Sequence, residues 1–245
     1  MIEAYNDYYT EDYPKTIIRH KWAIETFLSN VKNKRILEIG CGSGGMIEFL
    51  MKTNEVYGAD VSDSGIKIAK RKGLKVFKVD ISEQRLPFKT GVFDYVLMIG
   101  TIEHLMNPQK AINEIQRVLR KEGICLITAP NYRNEHPFIY PYLFRYRGFR
   151  NYLENNGFKI IRMKSYGVCP PFYGFYSGFL RRIELDKSKK DTSLRIGKFV
   201  RFFSNRFFTF FKPHYFGWEW YFEVKNMDPK GSLKLFDKVA ESGMY

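Results

Sequence analysis

The 245-residue sequence predicts an α/β fold with a doubly wound, mostly parallel sheet. Apolar runs of strand length alternate with amphipathic stretches of helix length between residues 35 and 129. Gly40, Gly42, Gly44 and Gly45 crowd the first strand-to-helix junction, and Asp60 and Asp80 close the next two strands. Strands that alternate with helices return to one sheet by right-handed crossovers, which place helices on both faces.

In chain order, Ile17, Ile18, Trp22, Ile24, Phe27 and Leu28 recur at three- and four-residue spacing and predict a helix over 16–30. Residues 35–39 form a short apolar run ending at the glycines, the first strand. Helix is predicted over 46–51, strand over 56–59, and helix over 66–71 behind the cap Ser62. Strands at 75–79 and 93–99 follow, then a helix over 108–120 with Asn107 as cap and Pro108 in its first turn, and a strand over 124–129. An aromatic, proline-containing stretch, 137–149, leads to a helix near 149–155, a stop at Gly157 and a strand over 158–163. A last strand, 215–224, alternates aromatic with other residues, so 165–214 is predicted as an insertion between two edge strands, long for a loop. The chain thus divides into an N-terminal helical lid (1–30), a core (31–164), an aromatic and basic insertion (165–214), and the last strand with a C-terminal helix (215–245).

Composition bounds the class. No unbroken apolar stretch reaches membrane-spanning length. The acidic, aromatic start MIEAYNDYYTEDY lacks the basic and then apolar pattern of a secretory signal, so a cytoplasmic location is expected. Cys41, Cys125 and Cys169 are odd in number and widely spaced, which argues for reduced, buried thiols and against a disulfide framework or a cysteine-based zinc site. The net charge of +14 favours polyanionic partners, and residues 181–212 place ten Lys or Arg against three acids, a net of +7.

The segment ILEIGCGSGG, 36–45, is the first chemical signal. Glycines at a strand-helix junction let a ligand lie across the backbone. Gly40, Gly42 and Gly45 with Asp60 twenty residues on also fit the dinucleotide fingerprint, so a nicotinamide enzyme competes. Glu38, which reads equally as a strand-end residue paired with Lys34 or Arg35, argues against it in its other reading: a carboxylate beside the loop repels a pyrophosphate and attracts the ammonium of an amino-acid-bearing cofactor such as S-adenosylmethionine.

Taken in order, these segments resemble a class I S-adenosylmethionine-dependent methyltransferase of the type 11 kind, with a Rossmann-like seven-stranded sheet whose last strand is antiparallel. ILEIGCGSGG resembles the family's first motif, which implies Glu38 at the amino-acid end of the cofactor and Gly40, Cys41, Gly42 and Gly44 beneath it. GADVSDSGI, 58–66, resembles the second, implying that Asp60 binds the ribose hydroxyls and Val61 flanks the adenine. KVDISEQRLPF, 78–88, resembles the third, implying that Asp80 accepts from the adenine amino group and Ile81 offers backbone contacts. FDYVLMIGTIEHLMNP, 93–108, resembles the fourth strand, with Ile99 beside the cofactor. The resemblance covers about residues 34–163 and, less tightly, 215–225.

Methyl transfer from a sulfonium needs the acceptor held in line more than it needs a protein nucleophile. His104, after the fourth strand, is the candidate base, against its plainer reading as a junction residue that packs or caps; His136 and His214 are substitutes. Some relatives bind metal through an ExxEH pattern, but here Gly100 replaces the first acid, and Glu103 with His104 are too few ligands, so no metal is expected. Within the insertion, 195–212 sets Arg195, Lys198, Arg201, Asn205, Thr209 and Lys212 on one helical face and Phe199, Phe202, Phe203, Phe207 and Phe210 on the other. That pattern suits an anionic membrane surface and a small-molecule, glycan or lipid-linked acceptor; core packing reads it equally, and stacking on RNA competes. Tyr5, Tyr8, Tyr9 and Tyr13 resemble a region that closes over the cofactor in relatives. A methyltransferase is expected, peripheral at the inner membrane face, and a non-catalytic cofactor-binding module is the alternative.

Overall fold

A computed structural model describes residues 18–131, 145–167 and 219–227. The chain enters through α1 (Ile18–Ala23), continued by a π-helical turn, Ile24–Leu28, whose wider winding buries Ile24, Phe27 and Leu28. Phe27 stacks on Tyr221, and Trp22 meets Tyr221 edge-on at 5.0 Å between ring centroids. The strand β1 (Arg35–Ile39) is buried after its first residue, as a central parallel strand must be. There follow α2 (Gly45–Leu50), β2 (Glu55–Asp60), α3 (Asp63–Arg71), β3 (Val76–Lys78) and β4 (Phe93–Met98). A 3-10 turn, Ile102–His104, then α4 (Pro108–Val118), β5 (Leu119–Pro130), α5 (Tyr146–Asn155), β6 (Phe158–Tyr166) and β7 (Glu219–Asn226) complete the described elements.

Local chemistry sets the boundaries. Ser62 caps α3, its hydroxyl accepting from the Gly65 N–H at 3.1 Å, while Asp63 in the first turn and Lys70 and Arg71 in the last complement the helix dipole. Asn107 caps α4 by accepting from the Lys110 N–H, and Pro108 costs nothing in a first turn whose N–H groups lack helical partners. The expected helix over 108–120 ends at Val118 instead. Leu119, fully buried, pairs with Phe93 as the start of β5, and a bulge with Glu122 at φ 60° precedes the pairing of Ile124 with Tyr95.

The sheet order is β3-β2-β1-β4-β5-β7-β6. Strands β1 to β5 run parallel, and β7 is antiparallel to both neighbours, as expected for the last strand. The expectation of two edge strands needs correction, because β7 lies inside the sheet between β5 and β6. Burial explains the placement: β7 hides Trp220, Tyr221, Phe222 and Val224, whereas β6 exposes Lys159, Ile161 and Lys164, a charged strand suited to an edge.

Alternation along the strands separates two apolar cores, one on each face of the sheet. Leu37, Ile39, Val96, Met98 and Phe222 pack with α4 and α5; Ile36, Leu97, Ile99 and Tyr221 pack with α1, α2 and α3. Strand order reverses between β1 and β4, so the C-terminal ends of these strands form the switch point where open α/β sheets bind ligands.

Candidate active site

The glycine loop leaves β1 at this switch point. Gly40 lies at φ 77°, Gly42 at 51° and Gly44 at 83°, backbone that side chains rarely adopt. A Cβ on Gly40 would sit 2.0 Å from the Thr101 hydroxyl oxygen, and one on Gly44 2.2 Å from Leu74 Cδ1. These glycines are therefore required by close packing as well as by torsion. The N–H groups of Gly40 and Cys41 both donate to the Ala59 carbonyl and fasten the loop to β2. The Cys41 thiol is buried against Gly58, where burial foremost and the nearby carboxylates second push it well above its ordinary range.

Two carboxylates face each other under the loop. Glu38 is 3% exposed, and its Oε2 receives no hydrogen bond. Burial first, then the charge of Asp60, raises the Glu38 carboxyl well above the ordinary range. Asp60 accepts from the Gly42 N–H at 2.7 Å through Oδ2 and from the Ser62 N–H at 2.8 Å through Oδ1. Burial raises Asp60 too, against the pull of these donors. Val61 beside it is half-buried.

Asp80 stands apart, past the end of β3, where the Val79 N–H reaches the Asp60 carbonyl. Its Oδ1 accepts from the Ser82 N–H, its own N–H donates to Gln84, and Ile81 is buried behind it.

On the far side of the loop, Ile99 is buried past the end of β4 and Thr101 leans on Gly40. The 3-10 turn presents His104 half-buried, with Nε2 4.0 Å from Glu103 Oε1, and the His104 N–H donates to the Thr101 carbonyl. Glu103 is buried; burial first and the charge of Glu219 second push it up to about 8, while Arg19 pulls it down. Glu219, opposite Pro130 in β5 and Tyr166 in β6, is equally buried and accepts from the Tyr221 hydroxyl at 3.2 Å.

Residues 37–127 match the family model described as a methyltransferase domain. This segment is a class I, S-adenosylmethionine-dependent methyltransferase domain. The chain is 36% identical over 125 residues to an uncharacterized protein of Methanocaldococcus jannaschii, covering 49% of this chain and 58% of that one. It is 31% identical over 116 residues to the ubiquinone/menaquinone biosynthesis C-methyltransferase of Campylobacter jejuni, covering 44% and 49%. The chain therefore spans about half the length of these curated relatives. A solved S-adenosylmethionine-dependent methyltransferase from Aquifex aeolicus shares the fold at TM-score 0.52, with 21% identity over 67% of this chain and 92% of that one.

In the methyltransferase domain, Glu38, Asp60 and the three loop glycines converge, Asp80 and Ile81 lie one strand further out, and Ile99 and His104 lie across the loop. Sequence reasoning missed Thr101, Arg19 and Glu219. Arg19 lies against Gly100, where a Cβ would come 2.6 Å from its guanidinium. The N-terminal tyrosines, His136, His214, Cys169 and the basic helix over 195–212 lie outside the described residues.

Proposed function

We propose that the chain transfers a methyl group from S-adenosylmethionine to an oxygen or nitrogen of a small-molecule, glycan or lipid-linked acceptor. The observation that carries this reading is Glu38: a buried carboxylate with an oxygen that accepts no hydrogen bond, raised by burial and by Asp60, directly under a loop of left-handed glycines. A buried acid without a cation is costly and is relieved by a positively charged ligand. The same acid opposes a pyrophosphate, which disfavours a dinucleotide. The residues present fit the cofactor on these grounds: an orphaned buried oxygen and a cradle that a Cβ at Gly40 would fill.

In this reading Glu38 holds the cofactor's ammonium, and Gly40, Cys41, Gly42 and Gly44 supply a backbone floor. Asp60 accepts from the Gly42 and Ser62 N–H groups, with the Val61 N–H also acting on it, and its two oxygens have acceptor capacity left for the ribose hydroxyls. Val61 and Ile81 line the adenine, Asp80 accepts from its amino group, and Ile99 closes the cleft from β4. Bound S-adenosylmethionine supplies an electrophilic methyl on a sulfonium. His104, half-exposed beyond Thr101, takes the proton that the acceptor loses.

Calorimetry tests this directly. S-Adenosylhomocysteine is expected to bind the full chain and NAD to give no heat; NAD binding with S-adenosylhomocysteine silent would overturn the reading.

A further inference from the structure

Resting on the proposed function, the buried acids beyond the glycine loop point to the acceptor. Glu103 and Glu219 are each 4% exposed, yet Glu103 Oε2 and Glu219 Oε1 receive no hydrogen bond. They come from distant parts of the chain, the 3-10 turn after β4 and the first residue of β7, and both lie at the C-terminal end of the sheet. The Gly100 N–H donates to Thr128 in β5, and Pro130, two residues further along that strand, pairs with Glu219, so the turn and the start of β7 meet at one end of β5, where the charge of Glu219 raises Glu103. Thr101, two residues before Glu103, packs on Gly40, so the pair borders the cofactor loop on the side away from Asp60.

We propose that Glu103 and Glu219 form the acceptor subsite of this domain and hold the nitrogen of an amine, so that the group methylated is an amine. Ionised carboxylate oxygens only accept, and a structural pair would have each oxygen supplied with a donor. Three neighbouring groups act on the pair. Tyr221 donates one hydroxyl to Glu219, the Arg19 charge acts on Glu103, and His104 Nε2 stands 4.0 Å from Glu103. An ammonium offers two or more N–H donors and a positive charge to the two free oxygens, whereas a hydroxyl offers one donor and no charge, and a carboxylate or phosphate is repelled. The bound ammonium offsets the charge of Glu219 and draws Glu103 into its ionised form; in the transfer a proton then passes from the ammonium to Glu103 and frees the nitrogen lone pair. That pair forms the new N–C bond while the S–C electrons stay on sulfur, and the second proton leaves through His104.

The test uses the full chain saturated with S-adenosylhomocysteine, with phenethylamine, 2-phenylethanol and phenylacetate as probes of similar size. The amine is expected to bind at least about tenfold more tightly than the alcohol, with no heat from the acid. Glu103→Gln and Glu219→Gln should each weaken the amine at least about fivefold and leave S-adenosylhomocysteine affinity intact. Alcohol or acid binding as tightly as amine, no amine binding, or amine affinity unchanged in both variants would each overturn the assignment. The comparison of probes on the unaltered chain stands even where a variant fails to fold. Loss of S-adenosylhomocysteine binding by the unaltered chain strikes the cofactor reading instead and is read separately.

Discussion

Gly40 combines a positive φ with a contact that leaves no space for a methyl group, because Gly40 and Thr101 lie just past the ends of β1 and β4, the two strands that flank the switch point. Gly40→Ala is therefore expected to cost about 2 kcal/mol or more, from torsional strain and displacement of Thr101, and to abolish calorimetric binding of S-adenosylhomocysteine. Glu38 is the opposite case, a residue kept at a cost to stability. Its folded-state pKa is raised, so the folded chain holds a proton that the unfolded chain releases near pH 4.5, and stability declines as pH rises above that value. Glu38→Gln removes this decline. The variant should melt higher than the parent at pH 8, by a margin that shrinks at pH 5, while S-adenosylhomocysteine affinity falls at least about tenfold; a margin independent of pH would contradict the assignment. Glu103, raised to about 8, obeys the same sign over the window from pH 4.5 to 8.

Among the elements, the loop between β3 and β4 is held by α4 through one cluster. Glu114 accepts from the Leu86 N–H at 2.9 Å and from Arg117, which also donates to the Phe88 and Leu86 carbonyls. Burial works against the charged form of Glu114, but the Arg117 and Leu86 donors prevail and hold it below the ordinary range. Its contribution is present above pH 4.5 and is lost as pH falls through the lowered value. Glu114→Gln should cost about 2 kcal/mol at pH 7 by urea unfolding and converge on the parent in acid. The caps Ser62 and Asn107 were legible in the sequence because a cap is settled within three residues. The end of α4 was not, because burial of Leu119 against Phe93 and the left-handed Glu122 decide it. Position in the sheet was hidden for a similar reason: β7 alternates like an edge strand, and only its aromatic burial between β5 and β6 moves it inward. Thr101, Arg19 and Glu219 escaped notice because each matters through a contact far along the chain, whereas Glu38, Asp60 and the glycines are announced by one short motif and its spacing.

For the whole molecule, the chemistry sits at one end of a two-faced sheet while the charge sits elsewhere in the sequence. Half of the +14 excess falls in 181–212, a stretch whose basic and phenylalanine positions recur at helical spacing. The C-terminal end of the parallel strands, by contrast, gathers buried acids: Glu38, Asp60, Glu103 and Glu219. Among the described residues no helix is long and apolar enough to cross a membrane. The full chain is then expected to float with vesicles of anionic phospholipid in 50 mM salt and to be released in 500 mM, since counterion screening weakens attraction at the bilayer surface; neutral vesicles should leave it in the pellet fraction at either salt. A basic protein that merely packs its phenylalanines inward still binds anionic vesicles weakly, so the decisive variant is Phe202→Ser with Phe203→Ser. Inserted rings make flotation fall sharply with the charge unchanged, and flotation equal to the parent's would assign the phenylalanines to the interior. Retention on RNA with no vesicle binding would direct the basic region to nucleic acid instead.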